Sequence, residues 1–270
     1  MFVPATMTKA RRRLWGLLLF AFAMAAVVAF LPPLAQPQTY HRFADGRALF
    51  GLPNFLNVVS NLPFLLVAML GLAALHRPRP GAFVEGRERL PWAVFFLGLT
   101  ATGFGSAWYH LGPDNASLFW DRLPLSVCFG ALLAAMIAER VCVRVALALL
   151  APLVGTAIGT VLYWRFSQTG GAENVLPYFA FQAGAILFGV FLVRFFPPAY
   201  THESDLVRAA AFYAAAVAAE YFDPAIFAIG GVVSGHTLKH LLAALAVYQL
   251  VRMLRERSLI SGTPPGGRSN

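Results

Sequence analysis

Long apolar runs separated by short polar segments dominate this chain of 270 residues. A helix needs about 18 to 20 residues to cross roughly 30 Å of hydrocarbon, and most of the runs reach that length. The run near residue 210 is the exception, since it is short and rich in alanine. The pattern predicts a bundle of seven core helices in a membrane, at approximately Phe55–Leu75, Pro91–His110, Leu118–Ala138, Val145–Tyr163, Val175–Val193, Val207–Tyr221 and His236–Met253.

Composition leads to the same class of protein. Apolar residues make up 59% of the chain and charged residues only 12%, which leaves too little polar surface for a soluble domain of this size. The formal net charge of +9 could indicate a nucleic-acid binder, but the basic residues are spread over the loops between apolar runs. We therefore expect an all-α membrane protein without a nucleic-acid partner.

An additional apolar run, Leu14–Leu31, follows a cluster of basic residues near the N-terminus. This layout fits either a signal peptide or a first transmembrane anchor, and the run is longer than the 7 to 15 apolar residues typical of a signal peptide. We favour the anchor. The predicted organisation is a basic segment with an anchor helix at 1–38, a seven-helix domain at 39–257 and a flexible tail at 258–270.

The distribution of basic residues predicts the orientation in the membrane. With a cytoplasmic N-terminus, all but five of the 21 basic residues fall on the inside, as the positive-inside rule requires. The C-terminus is then also cytoplasmic. In that topology, His110 ends an outward-going helix, whereas Asp121 and His236 each begin an inward-going helix. All three are expected at the outer face.

These residues have the spacing of a metal site. His236 and His240 lie one helical turn apart on one helix face, and Ser106 and His110 share the same spacing. A catalytic zinc ion usually has three protein ligands and a water molecule. A lone histidine near a helix end is more often an interfacial or hydrogen-bonded residue. Here three histidines, an aspartate and a serine meet at one membrane face, where unpaired ionisable groups are costly, and we predict a metal site.

The same residues carry a family resemblance. Ser106-x-x-x-His110, Asp121 and His236-x-x-x-His240 resemble the signature of the CREST membrane hydrolases, a superfamily that includes alkaline ceramidases and progestin/adiponectin receptors. Three stretches resemble the alkaline ceramidase branch in particular: 54–63 (NFLNVVSNLP), 105–110 (GSAWYH) and 115–122 (NASLFWDR). The likeness covers about residues 54–253. It implies a seven-helix fold in which His110, His236 and His240 bind zinc, while Asp121 and Ser106 contact the zinc-bound water.

The chain departs from the family pattern in two places. Eukaryotic ceramidases carry an acidic calcium loop before the first core helix, whereas the corresponding stretch here offers only Asp45 and has Asn54 where an acidic ligand is expected. This puts calcium binding in doubt. Lys239 stands between the paired histidines, in a region where relatives tend to carry aromatic residues, so the pocket lining and the substrate are expected to differ. The anchor helix also lies outside the seven-helix core.

Other polar and aromatic residues have two interpretations each. Glu220, Tyr221 and Asp223 close the sixth core helix and could support a ligand histidine, or they could simply be helix-end residues. Trp108, Trp120 and Tyr178 could line a lipid pocket together with Glu220 and Tyr221, although aromatic residues are common at membrane interfaces.

The remaining polar residues carry weaker expectations. His41, His76 and His202 lie in predicted loops and are expected to be solvated. Asn57, Ser60 and Asn61, on the first core helix, need hydrogen-bond partners from helix packing or from the metal site.

The leading functional hypothesis is a zinc-dependent hydrolase of ceramide or a related N-acyl lipid in a bacterial inner membrane. Asp121 would act as general acid and base, and Ser106 would donate a hydrogen bond to the developing oxyanion. The partners expected are the lipid amide and membrane lipids, with no protein partner. One alternative is a receptor-like protein in which the zinc is structural. A proton-coupled transporter is a third hypothesis, but it would require internal repeats and broken helices at the midplane.

Overall fold

The computed structural model describes residues 28 to 260 without a gap, together with the single positions 16, 19 and 26. Within these residues the regular structure is helical, and the only strand-like pairing is two isolated bridges. The all-α prediction is confirmed for this part of the chain. Most of the predicted anchor helix Leu14–Leu31 and most of the predicted tail 258–270 lie outside the described residues.

The described part of the chain contains α-helices of very different length, together with short 3₁₀ helices at Gln38–His41 and Gly86–Glu88. In chain order the α-helices are α1 (Phe55–Val59), α2 (Leu62–His76), α3 (Arg89–Leu111), α4 (Asn115–Arg140), α5 (Val143–Ser167), α6 (Leu176–Phe195), α7 (Glu203–Tyr221), α8 (Asp223–Gly230) and α9 (Gly235–Glu256).

Several of these helices are long and apolar enough to cross a membrane, as expected for a multi-pass membrane protein. Five stretches within the described residues meet this condition: Phe55–His76, Gly86–Leu111, Asn115–Arg140, Val143–Ser167 and Leu176–Phe195. Helices α7 and α8 add a sixth if they form one broken span, which bends by 78° between them. Judged by length and composition, the described helices therefore give five or six spans and not the predicted seven.

Helix α9 is the predicted core span that does not meet this condition. Its 22 residues would extend about 33 Å at 1.5 Å per residue, so its length is sufficient. Its mean hydropathy is low because it carries two histidines and Gln249, which are buried, and the charged residues Lys239 and Arg252, which are half-buried.

The first core helix, expected to be continuous, is broken between α1 and α2. Pro63 lies in the first turn of α2 and has no N–H group to donate, which favours a new start there. At the break the side chains of Ser60 and Asn61 both donate to the carbonyl of Asn57, at 3.1 and 2.8 Å. The Asn57 carbonyl therefore keeps hydrogen-bond partners at the break. The Ser60 hydroxyl also reaches His240 in α9.

Close backbone contacts fix where α9 begins. A Cβ atom placed on Gly235 would lie only 2.0 Å from the carbonyl oxygen of Ala219 in α7 and 2.7 Å from the Cα atom of Asp223. No side chain fits at that separation. Gly235 directly precedes His236, so this contact sets the depth at which the first histidine of α9 enters the bundle.

We predict that Gly235→Ala destabilises the protein, because an added methyl group must push α9 away from the α7 backbone. Overpacking of this kind typically costs about 1 to 3 kcal/mol. The matched control is Gly159→Ala in α5, where an added Cβ meets nothing within 4 Å and helix propensity favours alanine. Thermal unfolding in detergent measures both variants, and an equal melting temperature for the two would contradict this packing.

Candidate metal centre

Three buried histidines converge at one end of the bundle. His110 lies in the last turn of α3, whereas His236 and His240 occupy the first two turns of α9. Their exposed fractions are 1%, 4% and 4%, so none of them faces solvent. The Nε2 atoms of His110 and His236 are 3.3 Å apart, and one nitrogen from each ring lies within 4.8 Å of the others. The histidines predicted from spacing therefore form one cluster.

One distance in this cluster matches a tetrahedral zinc site. Tetrahedral zinc with Zn–N bonds of about 2.0 to 2.1 Å places neighbouring ligand nitrogens about 3.3 to 3.4 Å apart. The Nε2–Nε2 distance between His110 and His236 is 3.3 Å, and the third histidine offers a nitrogen within 4.8 Å of both. The ring planes of the three histidines meet at 61° to 83°, so the rings are not stacked on one another. The cluster is a candidate metal centre.

The backbone at the start of α9 is held from two sides. Ser234 caps the helix, since its hydroxyl accepts the N–H of Thr237 at 3.1 Å. The Asp223 carboxylate accepts the N–H of His236 at 2.7 Å and the N–H of Ala44 at 3.0 Å. Asp223 thus holds the backbone of His236 and not its imidazole ring. The sequence pattern alone cannot tell these two kinds of support apart.

The rings themselves have separate supports. His240 Nδ1 lies 2.8 Å from the Ser60 hydroxyl. His236 Nδ1 lies 3.6 Å from a Glu220 carboxylate oxygen, which also accepts the ammonium of Lys239 at 2.7 Å. The Nδ1 atom of His110 is buried and finds no hydrogen-bond partner among the described residues. Glu220 and Ser60 are therefore the residues that reach the outer sides of the ligand rings.

Ser106 and Asp121 lie on helices that meet at this end of the bundle. Ser106 is 3% exposed and sits one helical turn before His110, and the backbone at Asp121 in α4 packs against Gly105, the neighbour of Ser106. Here α3 and α4 touch at their backbones: a Cβ atom on Gly105 would lie 2.1 Å from the carbonyl oxygen of Trp120. The charge of Lys239 acts on both Asp121 and the histidines.

The start of α4 fixes the position of Asp121. Asp114 caps the helix by accepting the N–H of Ser117 at 2.6 Å, and the Ser117 hydroxyl accepts the N–H of Asp114 at 3.0 Å. This capping box begins the helix at Asn115, so Asp121 falls in its second turn.

The segment from residue 34 to residue 47 lies across the same end of the bundle. The ring of Phe43 is 4.7 Å from both His110 and His236, measured between centroids. Tyr40 donates its hydroxyl to Glu220 at 3.2 Å. No periodic pattern marks this segment in the sequence. It nevertheless supplies an aromatic side chain that contacts two of the three ligand rings.

The expectation that His41 is solvated is wrong. Its Nδ1 atom lies 2.9 Å from the Tyr109 hydroxyl, and its Nε2 atom lies 3.0 Å from the side-chain oxygen of Asn115. It joins the loop to α3 and α4. His76 is exposed, as expected, whereas His202 lies 3.4 Å from Asp205.

Asp45, the acidic residue in the loop before α1, is paired with an arginine. Arg47 contacts both carboxylate oxygens, at 2.7 and 2.8 Å, and the hydrogen bonds from its guanidinium hold the pKa of Asp45 below its usual value. The same guanidinium donates to the carbonyls of Gly231 and Val232, at 2.8 and 2.6 Å. Asn54 donates to the carbonyl of His110 at 2.9 Å. Arg47 and Asn54 therefore hold the backbone next to the histidine cluster, at the turn before α9 and at His110.

The proposed pocket residues do not gather around the cluster, apart from Glu220. Trp108 and Trp120 are 60% and 54% exposed, and they line an open cavity of about 380 Å³ at the turn between α3 and α4. None of the ligand histidines lines that cavity. Tyr221 is 80% exposed, whereas Tyr178 is buried beside the guanidinium of Arg122, 5.0 Å from its ring centroid.

Arg122 is a further buried charge near the site. It is 3% exposed, donates to the side chain of Gln36, and lies over aromatic rings at 4.5 to 5.6 Å. These rings belong to Tyr40, Trp164, Tyr178 and Phe179.

Comparison with known proteins adds no relative. No family model matches the chain, and no curated protein matches it.

Proposed function

We propose that this protein is a zinc-dependent membrane hydrolase of the alkaline ceramidase type, which cleaves the amide bond of ceramide or a related N-acyl lipid. The observation that carries the proposal is the cluster of three buried imidazoles, with Ser106 one helical turn before His110 and the backbone at Asp121 packed against the adjacent Gly105. A purely structural site needs the three rings but has no use for an adjacent carboxylate and hydroxyl.

Zinc is the proposed metal because the ligand atoms are imidazole nitrogens. Neutral imidazole suits Zn²⁺ and other late first-row ions, whereas Ca²⁺ and Mg²⁺ prefer oxygen. His110, His236 and His240 would hold the ion, which leaves a fourth position for water or substrate, as in catalytic zinc sites. Zn²⁺ bound there would lower the pKa of a water molecule and polarise a substrate carbonyl.

The protein's own residues would manage the proton. The Asp121 carboxylate would accept a proton from the attacking water and deliver it to the nitrogen of the leaving amine. The water oxygen joins the acyl carbon, the carbon–nitrogen bond breaks, and a fatty acid and a long-chain amine are released. Once Asp121 has taken up this proton, the single hydroxyl proton of Ser106 would be free to form a hydrogen bond to the carbonyl oxygen, where negative charge develops.

Depth in the membrane supports a lipid amide as the substrate. The cluster lies where α3 ends and where α4 and α9 begin, at one end of apolar helices. An amide placed between headgroup and acyl chains lies at a similar depth in a bilayer. We propose that α9 crosses the membrane as well, that both termini are cytoplasmic and that the site faces the outer leaflet of a bacterial inner membrane.

The first prediction concerns the metal. Purified protein should contain about one zinc ion per chain, and His236→Ala and His240→Ala should lose most of it, because each removes one of three ligands. His76→Ala, which changes an exposed histidine, is the matched control and should keep the ion. Elemental analysis measures all four proteins. Parental zinc content in both ligand variants would remove the basis of the proposal.

The second prediction concerns catalysis. Asp121→Asn keeps the size of the side chain but cannot accept a proton, and positioned acid/base groups contribute about 10² to 10⁴ in rate. We expect turnover of a ceramide or similar lipid amide to fall at least about a hundredfold at unchanged zinc content. Ser106→Ala should cost a similar or smaller factor, about 10² to 10³.

Two results would favour the receptor-like alternative with structural zinc. One is an Asp121→Asn variant that hydrolyses lipid amides as fast as the parent. The other is a parent protein that holds zinc but cleaves none of a broad panel of lipid amides.

The third prediction concerns orientation. A reporter fused after Arg257 should be cytoplasmic, and a reporter in the loop between α5 and α6 should be external, because most basic residues then lie inside. The reverse pattern would place the metal centre at the cytoplasmic face.

A further inference from the structure

We propose that Ser60 is a positioning residue for the metal centre: its hydroxyl accepts a hydrogen bond from Nδ1–H of His240, so that the Nε2 lone pair of that ring faces the other two histidines. This inference rests on the proposed metal site. It concerns the chain's own hydrogen bonds, and it is independent of whether the bound metal hydrolyses a lipid.

The number of protons available limits this hydrogen bond to two arrangements. The Ser60 oxygen lies 2.8 Å from His240 Nδ1 and 3.1 Å from the carbonyl oxygen of Asn57. A carbonyl can only accept, and a hydroxyl has one proton to donate. If Ser60 donates to Asn57, then the ring nitrogen at 2.8 Å must be the donor. The neutral ring then carries its proton on Nδ1, and Nε2 is free.

The opposite assignment would disable the cluster. If Ser60 donated to His240 Nδ1, the neutral ring would carry its proton on Nε2, where it would point toward His110 and His236. A ligand nitrogen has to be unprotonated to bind a metal ion. The hydrogen bond to Ser60 therefore selects the tautomer of His240 that can act as a ligand.

The break between α1 and α2 places Ser60 at this position. Ser60 is 5% exposed and Asn57 is fully buried, so neither exchanges its partners for bulk water. Asn57 accepts the hydroxyl of Thr237 at 2.9 Å and donates to the carbonyl of Asp45 at 3.1 Å. The corner formed by Asn57 and Ser60 is thus attached to two successive turns of α9, at Thr237 and His240.

Metal affinity tests this role. Partners on the outer side of ligand histidines are worth about 10- to 100-fold in metal affinity, so Ser60→Ala should weaken zinc binding by that factor in a chelator competition. Ser60→Thr retains the hydroxyl and should restore affinity close to the parental value. The matched control is Ser126→Ala in α4, which removes another buried hydroxyl that donates to a carbonyl three residues earlier, at 2.7 Å. It should bind zinc like the parent.

The tautomer of His240 provides a second measurement that needs no variant. In metal-free parent protein labelled with ¹⁵N at histidine, the His240 signal should show the proton on Nδ1, and Ser60→Ala should shift the population toward the Nε2 form. A proton on Nε2 in the parent, or parental zinc affinity in Ser60→Ala, would overturn the proposal. If the parent binds no zinc, the proposed function fails, whereas the tautomer measurement still decides the role of Ser60.

Discussion

The carboxylate of Asp223 holds together the parts on which the metal centre depends. It binds the backbone N–H of His236 at the start of α9 and the N–H of Ala44 in the loop before α1. Two elements far apart in the sequence thereby meet on one side chain at the sharp bend between α7 and α8. A backbone N–H at a helix start has no partner within its own helix, so this carboxylate satisfies a group that would otherwise be unpaired.

Around the Asp223 carboxylate, the polar groups of the site form a connected network. Arg47 ties the same loop to the turn before α9, and Asn57 joins the loop to Thr237. Polar groups removed from water are costly unless they find partners, and here the partners come from several different elements. Displacing one of these elements therefore affects the position of the histidines as well as local packing.

The features that could be predicted from the sequence are those encoded by the length of apolar runs or by residue spacing along a helix. The all-helical class and the convergence of His110, His236 and His240 come from apolar runs and from i, i+4 spacing, and the described residues confirm both. The number of spans was less predictable because α9 buries polar side chains, which lowers its hydropathy without exposing it. Its role as a further crossing stays a prediction.

The parts that could not be predicted are those in which loops meet the bundle. Nothing in the sequence around Phe43 indicates that its ring contacts two ligand histidines, because a loop has no periodicity from which a direction could be read. The hydrogen bonds of His41 to α3 and α4 were missed for the same reason. Such contacts depend on tertiary packing between distant segments, whereas helix spacing is a local property.

The surroundings of Arg122 bear on the chemistry of its neighbour in the chain, Asp121. An arginine next to a proposed catalytic carboxylate could pair with it directly, and such a pair would make the carboxylate a weaker base. Instead, the guanidinium is stabilised by the faces of four aromatic rings and by Gln36. Nη1 of Arg122 is buried without a hydrogen-bond partner among the described residues, so aromatic faces are the main neighbours of this cation. These rings hold the guanidinium in a direction that does not require a salt bridge to Asp121, the carboxylate that we propose takes part in proton transfer.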